Sequence, residues 1–314
     1  MAARARLRRR QRAGGRGGAP HARRRHLRNA LLAGALLPLA ATAAERLLVI
    51  TSNDHGTFRQ AEAGLRKAHP AAESLQVELD DIAAVTRAVA KLPRDAAIVT
   101  LGRRASLLVA DAAPPHPVVD CMAGGDAAAR SSAVPLEVPL DAQIAWLKRL
   151  LPGARNVGLL FDPAQNERRV AEAAAAWKRA GFVPVMEPVA GPAALPAALN
   201  RLAQAVDVLF AIPDRTVYAG EHSRALLLFS FRNRIPLVGP SEGWVRLGAL
   251  YALEWDFGDV GRYCGALALR QLAGGKGPAP PPPRTRVVVN ARTAAQQRVD
   301  WDDDVRKAFD RVYE

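Results

Sequence analysis

The sequence predicts an α/β protein of two doubly wound lobes whose parallel sheets face a cleft. Short apolar runs alternate with amphipathic stretches from Arg46 onward. That alternation restarts once, after residue 140, and a proline-bearing extended segment separates the two series. At 314 residues with 49% hydrophobic side chains, the chain is long enough for two domains of ordinary size, each with a core.

In the first series the runs 47–52 (LLVITS), 75–79 (LQVEL), 96–101 (AAIVTL) and 117–121 (PVVDC) read as strands. Between the first two, Phe58, Ala61, Leu65 and Ala68 recur at helical spacing, and His69-Pro70 closes that helix. The segment 132–140 (SAVPLEVPL) is extended, and its two prolines argue against a central strand. Asp141 is the expected cap of a helix whose Ile144, Leu147 and Leu151 face inward. Then follow strand 156–161, helix 166–180, strand 183–187, helix 193–205, strand 206–212, helix 216–232 and strand 235–239. A strand at 248–254, a helix at 258–272, a Gly/Pro-rich stretch and a strand at 286–290 come next. The tail is expected to form a surface helix within 296–314, with Val305, Phe309 and Val312 inward. The domain reading is a first lobe of 45–138 plus about 257–275 and a second lobe of 139–256 plus about 284–295.

The formal net charge of +14 raises the question of nucleic acid, so its location matters. Residues 1–44 hold 11 of the 44 basic side chains and no acidic one, which leaves 33 basic against 30 acidic residues elsewhere. The basic character therefore belongs to the leader, and no nucleic-acid partner is expected. That leader has an Arg-rich stretch to Arg28, an apolar run from Ala30 to Ala40, and Ala41-Thr42-Ala43 before an expected cleavage near Ala43 or Ala44. The apolar run falls short of the ~20 residues that span a bilayer. We expect an exported, periplasmic protein. Arg24-Arg25-His26-Leu27 leaves the twin-arginine route open beside the Sec route. Cys121 and Cys264 could bridge in an oxidising compartment, but two cysteines in a chain of this size read first as small buried hydrophobes.

Gly239-Pro240-Ser241-Glu242-Gly243 fits G-x-S-x-G between a strand and a helix, where a hydrolase nucleophile would sit. Such a serine needs a later histidine to take its proton, and the last histidine is His222. Thr51-Ser52-Asn53-Asp54-His55-Gly56 stands where a dinucleotide fold would carry G-x-G-x-x-G, and Asp54-His55, His116 and Asp120-Cys121 lack metal-ligand spacing. No enzyme, cofactor or metal is expected.

Polar residues nevertheless gather at the ends of the predicted strands. They are Ser52, Asn53 and Asp54; Gly102 and Arg103; Asp120; Asp162, Gln165 and Asn166; Asp214 and Thr216; and Ser241 and Glu242. Any one of them could be a helix cap, whereas the set points to a ligand cleft at the carboxyl ends of the strands.

The stretches LLPGARNVGLLFDPAQN, LPAALNRLAQAVDVLFAIPDRTVY and RNRIPLVGPSEGWVRLGALYALEWDFGDVGRYCGALALRQLAGG, within Leu136 to Asn290, resemble ABC-transporter substrate-binding proteins of the tryptophan/phenylalanine-binder group. The resemblance implies a type I periplasmic-binding-protein fold with three crossings between lobes. Helix 258–272 would then return to the first lobe and strand 286–290 to the second. The loops 162–166 and 213–216 and the turn at Ser241-Glu242 would line the cleft. It also implies a small-molecule ligand, closure by hinge motion and an ABC permease in the inner membrane as partner. Two loops depart from the pattern, Asn53 to Thr57 and Gly102-Arg103-Arg104. The alternative is a sensor or interaction protein on the same fold, with a degenerate cleft and a membrane receptor or kinase as partner.

Overall fold

The computed structural model describes residues 46–52, 56–76, 81–123 and 133–314. The leader, Asn53 and Asp54 lie outside the described residues, as does the end of the strand expected at 75–79.

The first sheet is built from β1 (Arg46–Thr51), β2 (Glu73–Gln76), β3 (Ala96–Leu101), β4 (Val118–Ala123) and β5 (Val134–Pro135), in the order β2-β1-β3-β4-β5 with every pair parallel. All six residues of β3 are buried, as a central strand covered on both faces requires. Helices α1 (Gly56–Ala68), α2 (Ile82–Lys91) and α3 (Arg103–Ala112) supply part of that cover. Proline-bearing β5 takes the edge, where a missing N–H costs no ladder bond.

The second sheet is preceded by α4 (Leu140–Leu150) and contains β6 (Asn156–Phe161), β7 (Val183–Pro188), β8 (Val208–Phe210), β9 (Leu237–Val238), β10 (Tyr251–Trp255), β11 (Thr285–Asn290) and β12 (Arg311–Tyr313). The order is β12-β11-β10-β9-β8-β6-β7. Helices α5 (Pro163–Arg179), α6 (Leu195–Leu202), α7 (Ser223–Asn233) and α8 (Glu242–Leu247) connect these strands, and the core centres on fully buried Trp177, whose ring meets Phe182 and Phe210 edge-on at 5.3 and 5.0 Å. The chain starts α4 at Leu140 with Pro139 at the cap, so Asp141 lies inside the first turn instead of capping it.

After β10 the chain leaves the second sheet and forms α9 (Phe257–Leu272), which packs with α1 on the first sheet; it then re-enters the second sheet as β11. Exit and re-entry occur at the same end, so β11 must run antiparallel to β10, the one antiparallel pair among the described strands. Three crossings thus join the sheets, and they are tied to one another. Trp255 Nε1 donates to the Pro135 carbonyl at 3.1 Å, and Asp256 N donates to the Arg284 carbonyl at 2.8 Å.

Helices α1 and α9 meet backbone to backbone. An added Cβ at Gly261 would lie 1.7 Å from the Ala61 carbonyl oxygen, and one at Gly64 would lie 2.0 Å from that of Gly258. Glycines at 258, 261 and 265 put the smallest residue on one face of α9 at i, i+3 and i+7, where α1 approaches. The same helix carries a correction. Cys264 is bonded to Cys121 on β4 rather than held as a buried thiol, across a sequence separation of 143 residues. Packing α9 on the sheet brings the two Cα atoms to 6.6 Å, a proximity that sequence spacing could not reveal.

The tail also departs from expectation. After α10 (Ala291–Gln297), a single short helix, α11 (Asp303–Arg306), capped by Asp302, leads to β12, which pairs in parallel with β11. Val305 is buried and Phe309 packs on the Trp301 ring at 4.9 Å, but Val312 faces solvent. The edge of β11 offers unpaired backbone groups, and Asp310 begins to fill them: its N–H donates to the Val287 carbonyl, and its carboxylate accepts from Val287 N at 2.7 Å.

Candidate functional site

A cavity of about 280 Å³ lies where the crossings meet the second sheet. Leu136, Glu137 and Val138 line it from the first crossing, and Leu253, Glu254, Trp255 and Phe257 from the second. Pro213, Pro240 and Ser241 supply the strand-end loops, and Thr57 at the start of α1 comes from the other lobe. Larger depressions, beside β1 and α2 and between α7, α8 and α10, touch none of the crossings.

The walls are mostly apolar, and several of their polar groups are already committed. Gln143 Nε2 donates to the Val138 carbonyl at 2.6 Å, and Glu137 is ion-paired with Arg169. Burial lowers the pKa of that arginine. Glu254 Oε2 accepts from the Glu242 backbone N–H at 3.1 Å. Burial raises the Glu254 pKa above the ordinary value, the Glu242 N–H pulls it back, and the Glu242 carboxylate and Arg286 act in opposite directions after these.

The structure brings five predicted residues into one network. Asp214, buried, accepts from Asp162 N at 2.7 Å, Asn166 Nδ2 at 2.8 Å, and the N–H groups of Thr216 and Val217, both at 2.9 Å. Asp162 caps α5 through Ala164 N and accepts from Thr216 Oγ1 at 2.7 Å and Gln165 Nε2 at 2.8 Å. Those two donors, the Thr216 hydroxyl first, hold its carboxyl below the usual range. Because Pro163 starts α5 directly after the cap, the helix begins three residues earlier than the apolar spacing suggested. These groups bind the loop after β6 to the loop after β8, which shapes the cavity wall at Pro213.

Ser241 lines the cavity half-buried, whereas Glu242 turns away from it. Its carboxylate accepts from Tyr313 Oη at 2.5 Å and pairs with Arg311 at 2.8 Å and Arg286 at 3.6 Å. In the first lobe, β1 and β3 run in register and end together, so Ser52 and Gly102 lie side by side. Ser52 Oγ accepts from Ala105 N at 3.0 Å, and Gly102 has φ +96° with Ser52 and Phe58 too close for any side chain. Arg103 is exposed at the start of α3. Asp120 lies within β4, not after it, and accepts from Thr100 Oγ1 at 2.6 Å. None of these first-lobe residues lines the cavity. Sequence reasoning passed over Glu254, although the same strand-end rule applied to β10 would have selected it.

No helix among the described residues is long and apolar enough to cross a membrane, and they contain no cluster of three metal-ligating side chains. No curated protein matches the sequence. Among solved structures, the chain is similar to an ABC domain in complex with L-Trp from Streptococcus pneumonia, at 16% identity and TM-score 0.59 over 86% of this chain and 100% of that one. A ligand-free, open substrate binding protein with adhesive properties from Clostridium difficile aligns at 15% identity and TM-score 0.70 over 86% and 99%. A sugar-binding protein of a sugar ABC transporter from Bacillus halodurans aligns at 15% and TM-score 0.54 over 85% and 100%. These likenesses establish the type I periplasmic-binding-protein fold. Residues 133–313 match the family of ABC transporter substrate binding proteins, so the chain belongs to that family and is a substrate-binding transport protein, not an enzyme.

Proposed function

We propose that this protein is the periplasmic solute-binding component of an ABC transporter, which captures a small organic ligand between its lobes by hinge closure and delivers it to a permease in the inner membrane. The observation that carries this reading is the cavity at the crossings, because residues that line it belong to the segments about which the lobes would rotate. Ligand contacts there couple directly to the hinge. Ser52, Gly102, Arg103 and Asp120, at or near strand ends of the first lobe, supply the opposing face on closure, and Ser241 the near face. Asp162, Gln165, Asn166, Asp214 and Thr216 hold the wall in place through their mutual hydrogen bonds. The volume, near the lower end for small-molecule sites, suits a ligand of about one ring system.

A thermal-shift screen of the chain over amino acids, peptides, nucleosides, sugars, amines and organic acids tests the proposal. It expects at least one class to raise the melting temperature in a saturable way and to make the protein more compact by small-angle scattering. Silence across the whole panel overturns it in favour of a receptor-facing protein with a degenerate cleft.

A further inference from the structure

We propose that the cavity takes a small organic cation, an ammonium group on an apolar or aromatic body, with Glu254 as its counter-charge. The inference rests on the solute-binding reading above and specifies its ligand class.

The cavity lining among the described residues includes two carboxylates and no lysine or arginine. Glu137 is neutralised by Arg169, which leaves Glu254 as the acidic group of the lining without an ion-pair partner among the described residues. Its Oε2 is engaged by the Glu242 N–H, and Oε1 has no hydrogen-bond partner among the described residues. Arg286 lies opposite Glu254 in the β10–β11 ladder and offsets part of its charge, but its guanidinium is paired with Glu242. Burial already makes the Glu254 anion costly, so a cation arriving at Oε1 recovers that cost, whereas an anion in the same place adds to it.

The remaining lining narrows the choice further. Trp255 and Phe257 offer aromatic rings to a cationic head, with Trp255 pinned at its indole nitrogen by Pro135. Ser241 and Thr57 supply the side-chain hydroxyls of the described lining, and Gln143 has one amide N–H committed to the Val138 carbonyl. A sugar would bury several hydroxyls against fewer free partners, and each hydroxyl left unmatched weakens binding. A carboxylate ligand would meet no side-chain cation in the lining, from which Arg103 of the opposing face is absent.

The test titrates the full chain by calorimetry with tryptamine and phenethylamine, with indole-3-acetate and phenylacetate as anions on the same rings, and with galactose. Expected is binding of at least one amine tenfold or more tighter than its matched acid, with galactose silent. Glu254→Gln, which retains an acceptor for the Glu242 N–H, should weaken the amine tenfold or more and shrink the amine-to-acid ratio. If that variant does not fold, the ratio in the unaltered chain decides alone. An acid or galactose binding as tightly as the amines overturns the charge assignment while leaving the solute-binding reading intact, as does an amine affinity unchanged by a folded Glu254→Gln protein. Silence of every probe at millimolar concentration overturns this proposal, and the broader screen above then decides the solute-binding reading.

Discussion

The Tyr313 hydroxyl donates to a Glu242 carboxylate oxygen at 2.5 Å, joining the last strand of the second sheet to the turn beside the cavity. The same carboxylate is held by Arg311 and Arg286, while the Glu242 N–H reaches Glu254. Four charged groups and one phenol thus form a chain from sheet edge to cavity wall. Tyr313→Phe removes one charge-assisted bond from a half-buried site and should cost about 1–2 kcal/mol, read from urea denaturation. The two arginines keep Glu242 in place, so a loss above about 3 kcal/mol would mean that the phenol does more than this bond.

The Cys121–Cys264 bridge fastens α9, which follows a crossing, to β4 of the first sheet. Closing a loop of 143 residues restricts the unfolded chain and contributes on the order of 3–5 kcal/mol. Reductant, or Cys121→Ser with Cys264→Ser, should lower the unfolding free energy by that amount, read as a lower denaturation midpoint. Equal midpoints with and without reductant would contradict it.

At the α1–α9 contact there is no room for one methyl group. Gly261→Ala drives Cβ into the Ala61 carbonyl, a backbone atom that cannot rotate aside, and should cost about 2–3 kcal/mol or more. Gly153→Ala, where a Cβ meets nothing within 4 Å, is the control and should melt within about 0.5 kcal/mol of the unaltered chain. Similar losses at both sites would refute the close approach.

Asp214→Ala leaves the N–H groups of Asp162, Thr216 and Val217 without their acceptor and should destabilise by about 3 kcal/mol. Thr216→Val removes a single hydroxyl donor to Asp162 and should cost about 1 kcal/mol. Because the folded-state pKa of Asp162 is depressed below 3.8, its ionised form stabilises the fold above about pH 4. That contribution is lost as pH falls through the folded value. Asp162→Asn should therefore flatten the acid limb of a stability-versus-pH curve measured from pH 5 to 2, and an unchanged slope would count against the network.

Much of the architecture was legible in the chain itself. The strands at 96–101 and 156–161 match the observed β3 and β6 residue for residue, because strands covered on both faces read as continuous apolar runs. Asp162, Asn166, Asp214 and Thr216 were identifiable as residues at strand ends, but whether they meet a ligand or one another depends on the gap between two loops about 50 residues apart. Short edge elements were less legible. Tail residues 311–313 alternate too briefly to signal a strand, and they form one because β11 presents an open edge.

By itself, then, the sequence determined the α/β alternation, the break between two series of strands and the location of the excess positive charge, since each is carried by residues near one another in the chain. The tertiary structure alone decided that Cys121 meets Cys264, that Glu242 is retained by Tyr313 and that Glu254 lines the cavity. Those outcomes depend on distances between segments 12 to 143 residues apart, which packing sets and local composition does not encode.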